Sequence, residues 1–133
     1  MGIQEDEVRL LIEKAQRRIQ VAIRMFDEGY LEDAINRAYY AVFYAALAVL
    51  LTKGVRTRRH STALSLFGYY LVRTGEIEKE YAKIYRKLKE IRESADYDIY
   101  VFFGEEEIRE AIEQARKFVN RMKEYLKQEG IPD

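Results

Sequence analysis

Fourteen consecutive residues without a charge, Ala38–Leu51 (AYYAVFYAALAVLL), most constrain what this chain can fold into. As a helix the run is about 21 Å long at roughly 1.5 Å per residue. That is short of the ~20 apolar residues that cross a bilayer, and Arg37 precedes the run while Lys53 follows it. A helix that is apolar on every side needs other helices or a partner chain around it. The expectation is therefore a helical bundle with a hidden central helix.

A chain of 133 residues reads as one domain, 1–133. Lys and Arg total 23, as do Asp and Glu, so no global basic field draws in nucleic acid and only a local patch would bind it. The chain has no cysteine, which excludes disulfide and thiolate chemistry and fits a reducing compartment. Residues 1–10 carry three acids and no apolar run, so no signal peptide is expected and the cytoplasm is the expected location. Charged residues make up 35% of the chain and Asn occurs twice, a balance resembling thermophile proteins.

The one proline, Pro132, lies at the far end, so glycines punctuate. Gly29, Gly54, Gly75, Gly104 and Gly130 bound five segments: Glu5–Glu28, Leu31–Lys53, Thr57–Thr74, Glu76–Ala95 and Glu105–Glu129. In the first, Val8, Leu11, Ala15, Ile19, Ala22 and Phe26 step by three and four, as one helix face does. Ile77, Tyr81, Ile84, Leu88, Ile91 and Ala95 repeat the pattern in the fourth, and Ile108, Ala111, Ala115, Val119, Met122 and Leu126 in the fifth. The predicted fold is all-α, an antiparallel up-and-down bundle of four to five helices with short connections. Asp96–Phe103 (DYDIYVFF) stands outside the pattern, either covering the end of the bundle or buried by a second subunit.

Metal chemistry has little to work with: His60 is the one histidine, and no zinc-protease, phosphate-loop or Ser-His-Asp pattern is present. Arg56–His60 (RTRRH) is either a local anion site or a solvated loop. Arg37 sits at the edge of the apolar run and needs a carboxylate if half-buried. Asp96 pairs either with Arg92, one turn before it, or with Arg37 across to the neighbouring helix. Eleven tyrosines suit either an aromatic core or a contact and stacking surface.

Three stretches carry a family resemblance: RAYYAVFYAALAVLLTKG at Arg37–Gly54, RRHSTALSLF at Arg58–Phe67 and IRESADYD at Ile91–Asp98. In this order and spacing, over about residues 5–127, they resemble the HEPN domain (higher eukaryotes and prokaryotes nucleotide-binding), in its small stand-alone prokaryotic form. The resemblance implies an up-and-down α-helical bundle, commonly a homodimer, often paired with a minimal nucleotidyltransferase as toxin and antitoxin. Active toxins of this kind are metal-independent ribonucleases with an Arg, four to six residues, then a His. Arg92 matches that arginine, but Tyr97 stands where the histidine belongs. A tyrosine with a pKa near ~10 is poorly matched to moving a 2′-hydroxyl proton at neutral pH. In related pairs a tyrosine beside the motif receives nucleotide groups, which points to Tyr97 or Tyr100.

Two functional readings follow. In the favoured one the chain is a non-catalytic, dimeric module that binds a nucleotidyltransferase, a nucleotide or RNA near Arg37, Tyr40, His60, Arg92, Asp96 and Tyr97. In the other it is a ribonuclease toxin with an altered site, Arg92 stabilising the cleaved phosphate and His60 or Tyr97 handling protons. Neither reading calls for a metal, a cofactor or a membrane.

Overall fold

The structure, a computed structural model, describes residues 3–98 and 103–131. It contains α1 (Ile3–Asp27), α2 (Leu31–Leu51), α3 (His60–Phe67), α4 (Lys79–Tyr97) and α5 (Glu105–Gln128), and a π-helical turn over Gly68–Val72 prolongs α3. No strand occurs among the described residues, and the expected all-α helical bundle is what forms.

The apolar faces read from the sequence are the buried ones. Val8, Ala15, Ile19 and Ala22 of α1, Tyr81, Ile84, Leu88 and Ile91 of α4, and Ile108, Ala111, Ala115, Val119, Met122 and Leu126 of α5 all enter one core. Leu11, Phe26 and Ala95 pack at its edge. Helix α2 touches each of the other four. Its alanines at 34, 38, 41, 45, 46 and 48 are fully buried, and such small side chains let neighbouring helices come close. At 21 residues α2 is long and apolar enough to cross a membrane, yet most of it is buried within the protein, as a core helix is.

The central helix is not hidden on every side. Between Ala34 and Leu51 five residues keep partial exposure: Asn36, Arg37, Tyr40, Tyr44 and Leu47. Their spacing of three and four makes one stripe, left open because four helices do not close around a fifth on that side.

Two glycines carry the turns that reverse the chain. Gly29 has φ 88° and Gly54 has φ 74°, a left-handed conformation that strains any side chain with a Cβ. Each closes its helix with the same pair of bonds. The Tyr30 amide donates to Met25 and that of Gly29 to Phe26; the Val55 amide donates to Leu50 and that of Gly54 to Leu51. Gly104 differs: with φ −76° it is the residue before the first turn of α5.

Two boundaries move. Helix α3 begins only at His60, and α4 runs from Lys79 through Tyr97, so Asp96 and Tyr97 belong to a helix and not to a separate capping piece. The apolar run at 99–102, with its two possible coverings, lies outside the described residues.

Candidate functional site at the junction of three helices

Tyr39 and Phe43, one turn apart on α2, are both buried and both contact His60, the first residue of α3. The imidazole lies flat on the Phe43 ring, centroids 4.0 Å apart and planes 7° from parallel. The Tyr40 ring meets it edge-on at 5.2 Å. Tyr39 Oη is 2.8 Å from His60 Nδ1. From α4, the Arg92 guanidinium lies 4.6 Å over the face of the same Tyr39 ring. Its side chain is only 14% exposed, so this cation–π contact is largely shielded from water. At such sites it is worth about 0.5–2 kcal/mol. Arg92 Nη1 reaches Asp96 at 3.4 Å, and Lys89, one turn earlier, reaches Glu93 at 2.9 Å.

Tyr39 is thus the point where α2, α3 and α4 meet, and it brings Arg92 and His60 into one notch. Tyr40 borders the notch, and Asp96 joins it through Arg92. Arg37 does not join. Its Nη1 bonds the neighbouring Asn36 Oδ1 at 3.3 Å, and Asp96 takes Arg92 rather than Arg37. The local pair wins because both partners already sit on one turn of α4, whereas Arg37 lies on the open stripe of α2, where water solvates it.

Tyr97 is 80% exposed. Five residues past Arg92, it lies roughly 140° round the helix from it at 3.6 residues per turn. Tyr100 is outside the described residues. The basic stretch before α3 divides: Arg56 makes two bonds of 2.7 and 2.8 Å to Glu7 of α1, Arg58 and Arg59 are exposed, and only His60 turns into the notch.

Sequence reasoning did not single out Tyr39, Phe43 or Lys89 for the site. The one available signal was the four-residue step from Tyr39 to Phe43, which also suits a plain core face.

The electrostatics define what the histidine can do. Burial pushes the Tyr39 hydroxyl up to about 12, with Arg92 opposing the shift and Tyr40 and Glu93 adding to it. Tyr39 therefore keeps its proton at neutral pH. Burial first, then the positive charges of Arg92 and Lys89, holds His60 below its ordinary 6.5, so the ring is neutral at pH 7. Most buried hydroxyls donate a hydrogen bond, and His60 Nδ1 is the acceptor that the Tyr39 hydroxyl meets. Tyr39 therefore donates to Nδ1, and the imidazole proton sits on Nε2. The notch offers two kinds of donor, a guanidinium and an imidazole N–H, while the lone pair that would serve a base is occupied. Among the described residues no three of His, Asp and Glu cluster so as to hold a metal ion.

Fold and side-chain cluster together place the chain among small all-α bundles, here with a buried tyrosine that gathers a histidine and an arginine where three helices meet. The sequence model of the HEPN domain matches residues 8–125. The chain belongs to the HEPN domain family, as its three sequence stretches lead one to expect. It is 38% identical to a Methanocaldococcus jannaschii protein named "Putative toxin MJ0605", over 92% of this chain and 91% of that one. It is 30% identical to a second from the same organism, "Putative toxin MJ0142", over 94% of this chain and 85% of that one. A Thermotoga maritima protein named "UPF0332 protein" is 38% identical over 72% of this chain and 73% of its own length.

Proposed function

We propose that this HEPN protein is the toxin-type member of a toxin–antitoxin pair, and that it acts by binding a phosphate-bearing ligand, a nucleotide or RNA, without cleaving it. The observation that carries the reading is the Tyr39 Oη–His60 Nδ1 hydrogen bond beside Arg92. It sets an N–H donor next to a guanidinium, which suits phosphate oxygens, and ties up the nitrogen a general base needs. The names of the two Methanocaldococcus relatives support the toxin–antitoxin setting. Its partner on this reading is a minimal nucleotidyltransferase, for which the exposed Tyr97 hydroxyl is the accessible acceptor, and the module works as a homodimer. Calorimetric titration with AMP tests the notch: wild type binds, and Arg92→Ala weakens binding at least tenfold. Wild type that binds neither AMP nor a short RNA strand would sink it. Affinity capture from the native host tests the partner, which is abandoned if no nucleotidyltransferase is recovered.

One observation favours a ribonuclease toxin instead: Arg92 and His60 share Tyr39 although they are far apart in sequence. On that reading Arg92 holds the cleaved phosphate, and His60, turned to its other tautomer, moves the proton. Expression in cells should then slow growth, and Arg92→Ala should relieve it. Equal growth of both strains ends this alternative.

A further inference from the structure

The open stripe of α2 leads away from the notch. Tyr40, edge-on to His60, is followed one turn later by Tyr44, the two ring centroids 5.9 Å apart and the planes tilted by 38°. Both rings are partly exposed. Across from Tyr44, α1 supplies two cations one turn apart: Lys14 Nζ lies 4.7 Å and the Arg18 guanidinium 5.6 Å from the centre of the Tyr44 ring. Neither has a carboxylate within ion-pair distance among the described residues, unlike Arg9, Arg56, Lys89 and Arg92. The ring holds two positive charges in place, and no described carboxylate forms an ion pair with either.

We infer that Tyr40, Tyr44, Lys14 and Arg18 form a second subsite continuous with the Arg92–His60 notch, and that the ligand is a single-stranded nucleic acid spanning both rather than a mononucleotide. This rests on the phosphate-binding reading of the notch. One phosphate satisfies Arg92 and His60. Two ring contacts, His60 to Tyr40 and Tyr40 to Tyr44, then lie between the notch and the cations Lys14 and Arg18, so the two basic pairs are joined by a path of aromatic faces. A strand supplies what the path needs, bases for the two tyrosine faces and a further phosphate for the two cations. A second copy of the chain fits this face poorly, because a two-fold axis there would set the cations Lys14 and Arg18 against their own counterparts.

The test is fluorescence anisotropy with short oligouridylate and oligothymidylate strands, beside AMP binding, on wild type, the double variant K14S/R18S, Tyr44→Ala, Tyr44→Phe and Arg92→Ala. Wild type should bind the strands at least tenfold more tightly than AMP. K14S/R18S should remove that advantage and flatten the log affinity against log salt slope by about 0.7, the worth of one phosphate contact on a single strand. Its AMP affinity should stay within twofold. Tyr44→Ala should weaken strand binding about tenfold while Tyr44→Phe, which keeps the ring, does not. Arg92→Ala should weaken every ligand. Preference for the uridylate or the thymidylate strand identifies RNA or DNA as the source. A wild-type salt slope in K14S/R18S, or strands that bind no better than AMP, overturns the second subsite and leaves the notch standing. Absence of both AMP and strand binding overturns the notch and the subsite with it. Loss of self-association in the variants with strand binding intact assigns the face to a second copy and also overturns the proposal.

Discussion

Tyr39 decides what His60 is able to do. Replacing it with Phe removes one hydroxyl and leaves Nδ1 without its donor. That costs about 1 kcal/mol of stability, the usual net worth of one hydrogen bond. Nitrogen-15 shifts of the single imidazole should show the proton on Nε2 in wild type and a mixture of tautomers in Tyr39→Phe. A wild-type spectrum with the proton on Nδ1 would reverse the donor assignment and reopen the base role. The pH dependence carries its own sign. The folded protein holds His60 below 6.5, so just under that value the unfolded chain binds more protons than the folded one. Stability is then full above pH 6.5 and falls as the pH drops through that window. The melting temperature of wild type should fall further between pH 7 and pH 5 than that of His60→Gln. Ligand affinity should move the other way, since a protonated His60 adds a cation to the notch.

At the scale of the helix, α2 contains two kinds of position. Ala45 is fully buried where a neighbour passes close, and Leu47 lies on the open stripe. Ala45→Leu should overpack the core and cost about 1–3 kcal/mol, whereas Leu47→Gln should stay within about 0.5 kcal/mol. Urea unfolding of the two variants checks the contrast, and equal losses would contradict it. The same contrast shows what the sequence made legible. The three- and four-residue spacing in α1, α4 and α5 marks their buried faces because those helices have polar backs. Ala38–Leu51 has no polar back, so its pattern could not reveal that Tyr40, Tyr44 and Leu47 stay open while Tyr39 and Phe43 are covered. The notch was legible in part for a related reason. Arg92 and Asp96 are local neighbours on one helix, but the meeting of His60 with Arg92 depends on how α3 docks, and the fate of Arg37 on which carboxylates its neighbours leave unused. The extension of α4 through Tyr97 was hidden by the apolar residues that follow, which suggested an earlier break.

Across the whole molecule, stability and the site are held at opposite ends of α4. Ahead of its first turn, the Glu76 carboxylate accepts bonds from Lys53 at 2.5 Å, Thr74 at 2.8 Å and Tyr125 at 2.9 Å. One side chain thereby joins the end of α2, the turn before α4 and the end of α5. Arg121 of α5 adds a 2.8 Å bond to Glu78. From Glu78 to Arg92 is about 21 Å along the helix, so the knot does not touch the notch. The hydrogen bond from Lys53, then those from Thr74 and Tyr125, hold the Glu76 carboxyl below its ordinary 4.5 against the opposing effect of burial. A carboxylate lowered by folding stabilises the protein above pH 4.5, and the contribution is lost as the pH falls through the folded value. Glu76→Gln keeps the shape but removes the charge, leaving Lys53 facing a neutral amide. It should cost about 1 kcal/mol at pH 7 and lessen the drop in melting temperature between pH 5 and pH 3. AMP and oligonucleotide affinity should remain at wild-type values, because the helix that carries Arg92 is also held by its own face against Tyr39. Weakened binding in Glu76→Gln would mean that the two ends of α4 are coupled and that the notch depends on the distant knot.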